Sequence, residues 1–307
     1  MTRFARRFRE VARTLRSVEL TRHSMADAFD AALLDIAPTT AGSRRFLDFY
    51  GDEGILVALD RYGILDALRR RGYDHFRLEI DPDEHRHTLL VHARHIGGQD
   101  HVRLVELVVR RDTLVPGPGA PEENERAPYE PVEVLTIDWL CLQNPVAAFT
   151  ERRPRLPGQT APGLGIGEQV LELLHRVVVR LRLGGLLTVA EYFHNAVLYA
   201  RELPYVDPES MGELEALSRL LLEEQGLSLT QATWAVEWGL VSCNGEPFTW
   251  RGEAQVGARD RALRAWLESR RYERLAAQAA IDTQFDLDTG AFRERWADEL
   301  PDLLQPP

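Results

Sequence analysis

The chain has no lysine: all 37 of its basic residues are arginine. That absence removes whole reaction classes. Schiff-base and pyridoxal-phosphate enzymes, Walker-type nucleotidases, protein kinases and Ser-Lys hydrolases each need a lysine at the reacting centre. Cysteine is scarce as well. Cys141 and Cys243 lie far apart in the sequence, so neither a disulfide framework nor a thiolate metal site is expected. No apolar run reaches the length of a membrane span, and Arg180 and Arg182 interrupt the most apolar stretch, Val177 to Leu187. The first residues alternate Phe4 and Phe8 with Arg6, Arg7 and Arg9, where a signal peptide would need an unbroken apolar run. A reducing, cytoplasmic setting is the expectation. Positive charge is also in deficit: a net charge of -11 argues against nucleic acid as a partner.

What is present is enough for a packed core. Of the 307 residues 44% are apolar, sufficient for one large domain or two ordinary ones. Phe4, Phe8, Val11, Leu15 and Val18 repeat at helical steps, with arginines opposite, and predict an amphipathic helix over residues 1–23. Such a helix docks on its own domain, joins a second subunit, or lies on an anionic membrane surface. Further helices are expected over Ala26–Ile36, Arg44–Tyr50 and Gly54–Arg71. The period then falls to two. Phe76–Ile80, Thr88–Ala93 and Val102–Val109 read as an antiparallel meander, with turns at Asp81-Pro82-Asp83 and Gly97-Gly98-Gln99-Asp100. A Pro/Gly-rich excursion over 116–131 precedes a long apolar strand, Val132–Leu142. A Pro/Arg-rich loop over 145–162 carries Arg152, Arg153 and Arg155, expected as a solvated face. Beyond it come a helix (Gly167–Leu183), a buried strand (Leu186–Ala190) and a helix (Tyr192–Leu203). Helices over Met211–Glu224 and Thr230–Trp238, an Asn244-Gly245 hairpin and a helix over Asp260–Ala280 complete the reading, with a Pro-rich frayed tail. The expected class is α/β (α+β), a mixed sheet with flanking helices. Three regions are expected: a helical arm (1–42), a core (43–207) and a mainly helical extension (208–307).

The chemistry is concentrated in Pro162-Gly163-Leu164-Gly165-Ile166-Gly167, which runs straight into the helix pattern Val170, Leu171, Leu174, Val177, Val178 and Leu181. Glycines at alternate positions admit close backbone approach and free amide N–H groups to converge on an anion. The helix start adds its own unpaired N–H groups and its positive end. The same pattern also serves as a tight turn packed against a helix. A dinucleotide-binding Rossmann unit fits poorly, because the glycines follow an antiparallel meander and no second βαβ unit comes after Glu191.

The stretch Pro162–Leu174, then Leu186-Leu-Thr-Val-Ala190, then Asn195 and Leu198-Tyr199, resembles the GNAT (N-acetyltransferase) superfamily, over about residues 75 to 207. The resemblance implies a GNAT-like core that takes acetyl-CoA or another acyl-CoA as co-substrate and passes its acyl group to a small-molecule or peptide amine. It implies that Gly163, Gly165 and Gly167, with the intervening Leu164 and Ile166, hold the CoA pyrophosphate, Asn195 also contacting the cofactor. Tyr199 would protonate the departing thiolate. Pro162 stands where the superfamily has Gln or Arg. The phrases Leu156-Pro157-Gly158-Gln159 and Tyr192-Phe193-His194-Asn195 are also similar to a set of uncharacterised bacterial proteins. A backbone amide near Leu142 or Gln143 is the expected oxyanion donor. His194, Glu106 and Asp138 are the candidate bases: a histidine near Tyr199 on one helix, and two carboxylates mid-strand in apolar company. Each has a bland counterpart, a packing histidine or a solvent-facing charge. A degenerate, non-catalytic module that binds a ligand or a protein is the alternative function. No metal is expected: of the histidines crowding the hairpin, His85, His87 and His95 share strand parity while His92 points to the other face.

Overall fold

The computed structural model describes residues 3–23, 45–83, 85–116 and 129–307. The helix expected over Ala26–Ile36 and most of the 116–131 excursion lie outside the described residues. The fold is mixed α/β, with a six-stranded mixed sheet flanked by helices. Its strands are β1 (Tyr73–Pro82), β2 (His87–His95), β3 (His101–Leu114), β4 (Val132–Leu142), β5 (Gly185–Val189) and β8 (Ala254–Ala258), in that order across the sheet. β1, β2 and β3 pair antiparallel, as the alternation predicts. A three-stranded sheet holds β6 (Val241–Cys243) between β7 (Glu246–Pro247) and β9 (Phe285–Leu287). The chain divides into two compact units. The first comprises Met1–Arg111, Ile137–Val146 and Gly163–Arg180; the second comprises Asp112–Thr136, Ala147–Pro162 and Leu181–Pro307.

In the first unit the arm is two helices, α1 (Ala5–Thr14) and α2 (Ser17–Leu20), with extended backbone at Leu15 and Arg16 between them. Its apolar stripe is used for packing: Phe8, Leu15 and Leu20 are buried, and Phe8 meets the Tyr62 ring at 4.6 Å. Val18 departs from the expected stripe and is exposed, because the break after Thr14 resets the helical phase. α1 runs alongside α5 (Gly167–Arg180) in the same direction. Arg3 pairs with Glu168 at the start of α5, while Arg180 at its end donates to the Ala12 and Leu15 carbonyls.

Two helical expectations need correction here. The stretch expected as one helix over Gly54–Arg71 is two, α3 (Asp52–Arg61) and α4 (Ile64–Arg69), parted at Gly63, whose φ of 77° no right-handed helix accommodates. Arg44–Tyr50 is not a helix over its described part. Phe46 and Tyr50 exchange backbone hydrogen bonds across a tight turn with Leu47 and Asp48 at positive φ. The buried His87 holds that turn by accepting from the Leu47 amide at 3.1 Å through Nδ1. A partner forty residues away overrides local helix preference.

The second unit carries α6 (Phe193–Ala200), α7 (Pro208–Ser218) continued by a π-helical turn (Arg219–Glu224), α8 (Leu229–Glu237), α9 (Arg261–Leu267), α10 (Arg270–Asp282) and α11 (Thr289–Leu303). Phe193, Leu214, Leu217, Leu221 and Val236 form one core cluster; Val134, Leu187, Val256 and Leu263 form another. β8 pairs antiparallel with β5, and the buried Gln255 of β8 donates its amide to the Ala196 and Leu203 carbonyls, tying α6 to the strand. Near the C-terminus, Trp238, Phe292 and Trp296 interlock, with centroids 6.0 to 6.3 Å apart, and pin α11, while the last residues after Leu303 form no regular element.

Candidate functional site

The glycine loop returns to lie beside the end of β4. The Leu164 amide donates to the Leu142 carbonyl at 3.0 Å, and Gly163 forms an isolated bridge with Gln143. Leu164 and Ile166 turn inward and are buried, so Gly163, Gly165 and Gly167 turn outward and are exposed. The outward positions are not made glycine by crowding. A Cβ at Gly163 would meet nothing nearer than the Leu142 carbonyl at 3.8 Å, and one at Gly167 nothing nearer than a Leu142 methyl at 4.0 Å. Only Gly165 is conformationally demanding, at φ 63°. A Cβ there would come within 3.3 Å of the Arg71 guanidinium, whose other arm is anchored on the Ala67 carbonyl.

α5 begins at Gly167, and the amides of Gly167, Glu168 and Gln169 have no helical carbonyl to donate to. Val170, Leu171, Leu174, Val177 and Val178 bury one face of the helix, as their spacing predicts. The loop thus offers outward glycines, a helix start and a neighbouring arginine, all within the first unit. This arrangement suits a phosphate-bearing ligand. Arg71 is the functional candidate that the sequence reading missed. It precedes the loop by more than ninety residues, and no local pattern connects the two.

No protein-family model matches the chain. A stretch of 79 residues, 25% of the chain, is 33% identical to the photosystem I assembly protein Ycf3 of Sorghum bicolor. The match spans 45% of that protein's length.

The remaining candidates divide between the units. Leu142, Gln143, Glu106 and Asp138 belong to the first, with the loop; His194, Asn195 and Tyr199 belong to the second. The Gln143 amide is committed to the Leu104 carbonyl at 3.1 Å, which removes it as an oxyanion donor. Glu106 pairs with Arg103 at 3.3 Å, and Asp138 with both Arg86 and Arg110 at 3.1 and 3.0 Å. Neither carboxylate is the isolated, desolvated group that a raised basicity requires.

In the second unit the His194 ring is buried and stacked on Tyr192 at 5.6 Å, and burial lowers its pKa to about 4. It is neutral at pH 7 and a weak base. Its Nδ1 is buried without a partner among the described residues. Asn195 donates its backbone amide to the Tyr192 carbonyl in the first turn of α6. Tyr199 packs against the core cluster around Phe193 and Leu217, and burial raises its pKa, keeping the phenol protonated. Gly158, at φ 76°, lies so close that a Cβ would stand 2.8 Å from the Tyr192 ring. The two phrases Leu156–Gln159 and Tyr192–Asn195 therefore meet in space. In the same loop Arg155 is part-buried, its carbonyl accepting from the Trp234 indole at 2.7 Å, while Arg152 and Arg153 are exposed as expected. Burial raises the Cys141 and Cys243 thiols, the direction that makes them inert. Among the described residues no group of three His, Cys, Asp or Glu side chains is placed to hold a metal, and no helix is long and apolar enough to cross a membrane.

Proposed function

We propose that the chain is an acyl-CoA-dependent N-acyltransferase whose glycine loop grips the CoA pyrophosphate. The observation that carries this reading is the outward row of glycines. At Gly163 and Gly167 the fold leaves room for a side chain, so glycine there serves the approach of something from outside rather than internal packing. Arg71 supports the reading by supplying, from another element, the cation or donor that Pro162 cannot. Gly163, Gly165 and Gly167 with the first amides of α5 would bind the phosphates, and the resemblance to acyltransferases gives Tyr199 the role of acid. In the reaction that the resemblance implies, the amine nitrogen attacks the thioester carbonyl, the C–S bond breaks as the C–N bond forms, and sulfur takes a proton from the acid, the role the resemblance assigns to Tyr199. The proton shed by nitrogen restores the phenol, so the step balances without a further reagent.

A second reading is favoured by specific contacts. With the Gln143 amide committed and both carboxylates held by arginine, the same loop suits a module that binds acyl-CoA without chemistry. Calorimetry with acetyl-CoA tests the shared claim: wild type binds, and Gly167→Val, at an open position without positive φ, weakens binding about tenfold while the circular dichroism spectrum is unchanged. Equal binding by that variant reduces the loop to a turn. Free-thiol release on a panel of amines separates the two readings. Turnover that falls about tenfold in Tyr199→Phe at unchanged CoA affinity marks the enzyme; binding without thiol release on any amine marks the module.

A further inference from the structure

The first unit contains a cavity of about 480 Å³ formed by described residues, within the range of about 300–1,000 Å³ typical of small-molecule sites. Leu59, Leu89, Leu107 and Leu174 line it from α3, β2, β3 and α5. Arg9 and Arg13 of α1 and Arg176 and Arg180 of α5 line it too, and among the described residues no acidic side chain does. In a chain of net charge -11 this wall is a local reversal of sign. Ser17, Tyr50 and Tyr62 complete the polar part. Burial pushes both phenols up, so both remain neutral hydroxyls, and both feel the field of Arg180.

Two of the arginines have capacity to spare. Arg176 is paired with the buried Glu172 at 2.6 Å, yet its Nε is buried and finds no acceptor among the described residues. Arg13 makes no ion pair among the described residues and is exposed at the α1 side. A buried guanidinium N–H without an acceptor is costly, and a carboxylate oxygen is its best-matched partner. A leucine-lined floor under a cationic wall selects a molecule with an apolar body and one anionic end.

We propose that this cavity binds a free long-chain carboxylate, its hydrocarbon tail against the leucines and its head at Arg176, with Arg13 at the mouth. The inference is independent of the acyl-CoA reading. The cavity uses α5 from Leu173 onward, about 9 Å along the helix axis from its start.

Calorimetry of the full chain with dodecanoate is the test. Saturable one-to-one binding is expected, with none by acetate or dodecyltrimethylammonium, and no co-sedimentation with anionic phospholipid vesicles. Ala58→Phe, which puts a ring into the cavity from a buried lining position, should abolish binding. Glu172→Gln/Arg176→Gln, which removes the pair together and leaves no orphan charge, should weaken it about tenfold. Arg13→Gln, at an exposed position that leaves packing alone, should weaken it severalfold and decides the matter if the interior variants do not fold. Absence of saturable dodecanoate binding, equal binding of the cationic amphiphile, binding only to vesicles, or full affinity in Arg13→Gln would each overturn the proposal.

Discussion

His194 has a place in the core that titration can read. Its ring is stacked and its Nδ1 unpaired, so the folded state resists protonation until about pH 4. The unfolded chain takes up that proton near the ordinary imidazole value of about 6.5. Stability is therefore full above about pH 6.5 and declines as the pH falls toward 4, by about 3 kcal/mol from this residue. His87, also lowered by burial, adds a loss of the same sign. Urea unfolding of wild type and His194→Phe at pH 7 and pH 4.5 measures the share of His194: the acid loss should shrink in the variant. An unchanged loss would assign the whole effect elsewhere. The histidine was legible in the sequence as a residue near Tyr199, but its burial was not, because the loop that covers Tyr192 beside it comes from Leu156–Gln159.

At the scale of elements, a tight packing constraint joins α7 to α10. A Cβ on Gly212 would stand 2.3 Å from the Ala276 carbonyl and 2.7 Å from the Ala279 methyl. Helix propensity alone favours alanine there by roughly 1 kcal/mol, and overpacking costs about 1–3 kcal/mol. Because the clash includes backbone, which cannot swing aside, the second effect wins. Gly212→Ala should lower the urea midpoint; a raised midpoint would show that the helices part easily. Phe8→Ala is the corresponding change at α1, and loss of its fully buried ring should cost about 3–5 kcal/mol. Strands were legible wherever alternation was sustained: β1 to β3, and β4 with its long apolar run, lie where the sequence puts them. β8 was not, since Ala254-Gln-Val-Gly-Ala offers one strong strand former and gains its conformation from β5. The Phe46–Tyr50 turn escaped for the same reason, its stabilising partner His87 being distant in sequence.

For the whole molecule, absence of lysine has a practical corollary. An enzyme that handles a reactive thioester beside its own side-chain amines risks acylating itself, and this chain offers none. Treatment with an amine-selective acetylating reagent should leave acetyl-CoA binding intact, checked by calorimetry and peptide mass spectrometry; loss of binding would point to modification of another group at the site. Of the six tryptophans only Trp139 belongs to the first unit, so fluorescence unfolding reports chiefly the second. The glycine loop was legible because its pattern is local. Arg71 and the cavity were not, being assembled from segments separated by up to a hundred residues or more, and no periodicity encodes such meetings.

The parallel course of α1 and α5 sets like ends side by side. α1 has no acidic residue in its first turn, and at the far end Arg180 already serves the carbonyls at the end of α1. The near end, where Arg3 meets Glu168, holds two helix starts and the glycine loop. An anion at the loop would offset the mutual repulsion of both helices, each by about 0.3–1 kcal/mol. Ligand binding should then slow hydrogen exchange along α1, a helix that contributes no residue to the phosphate cradle. Exchange in α1 that is identical with and without acetyl-CoA would show that the two helices feel the ligand separately.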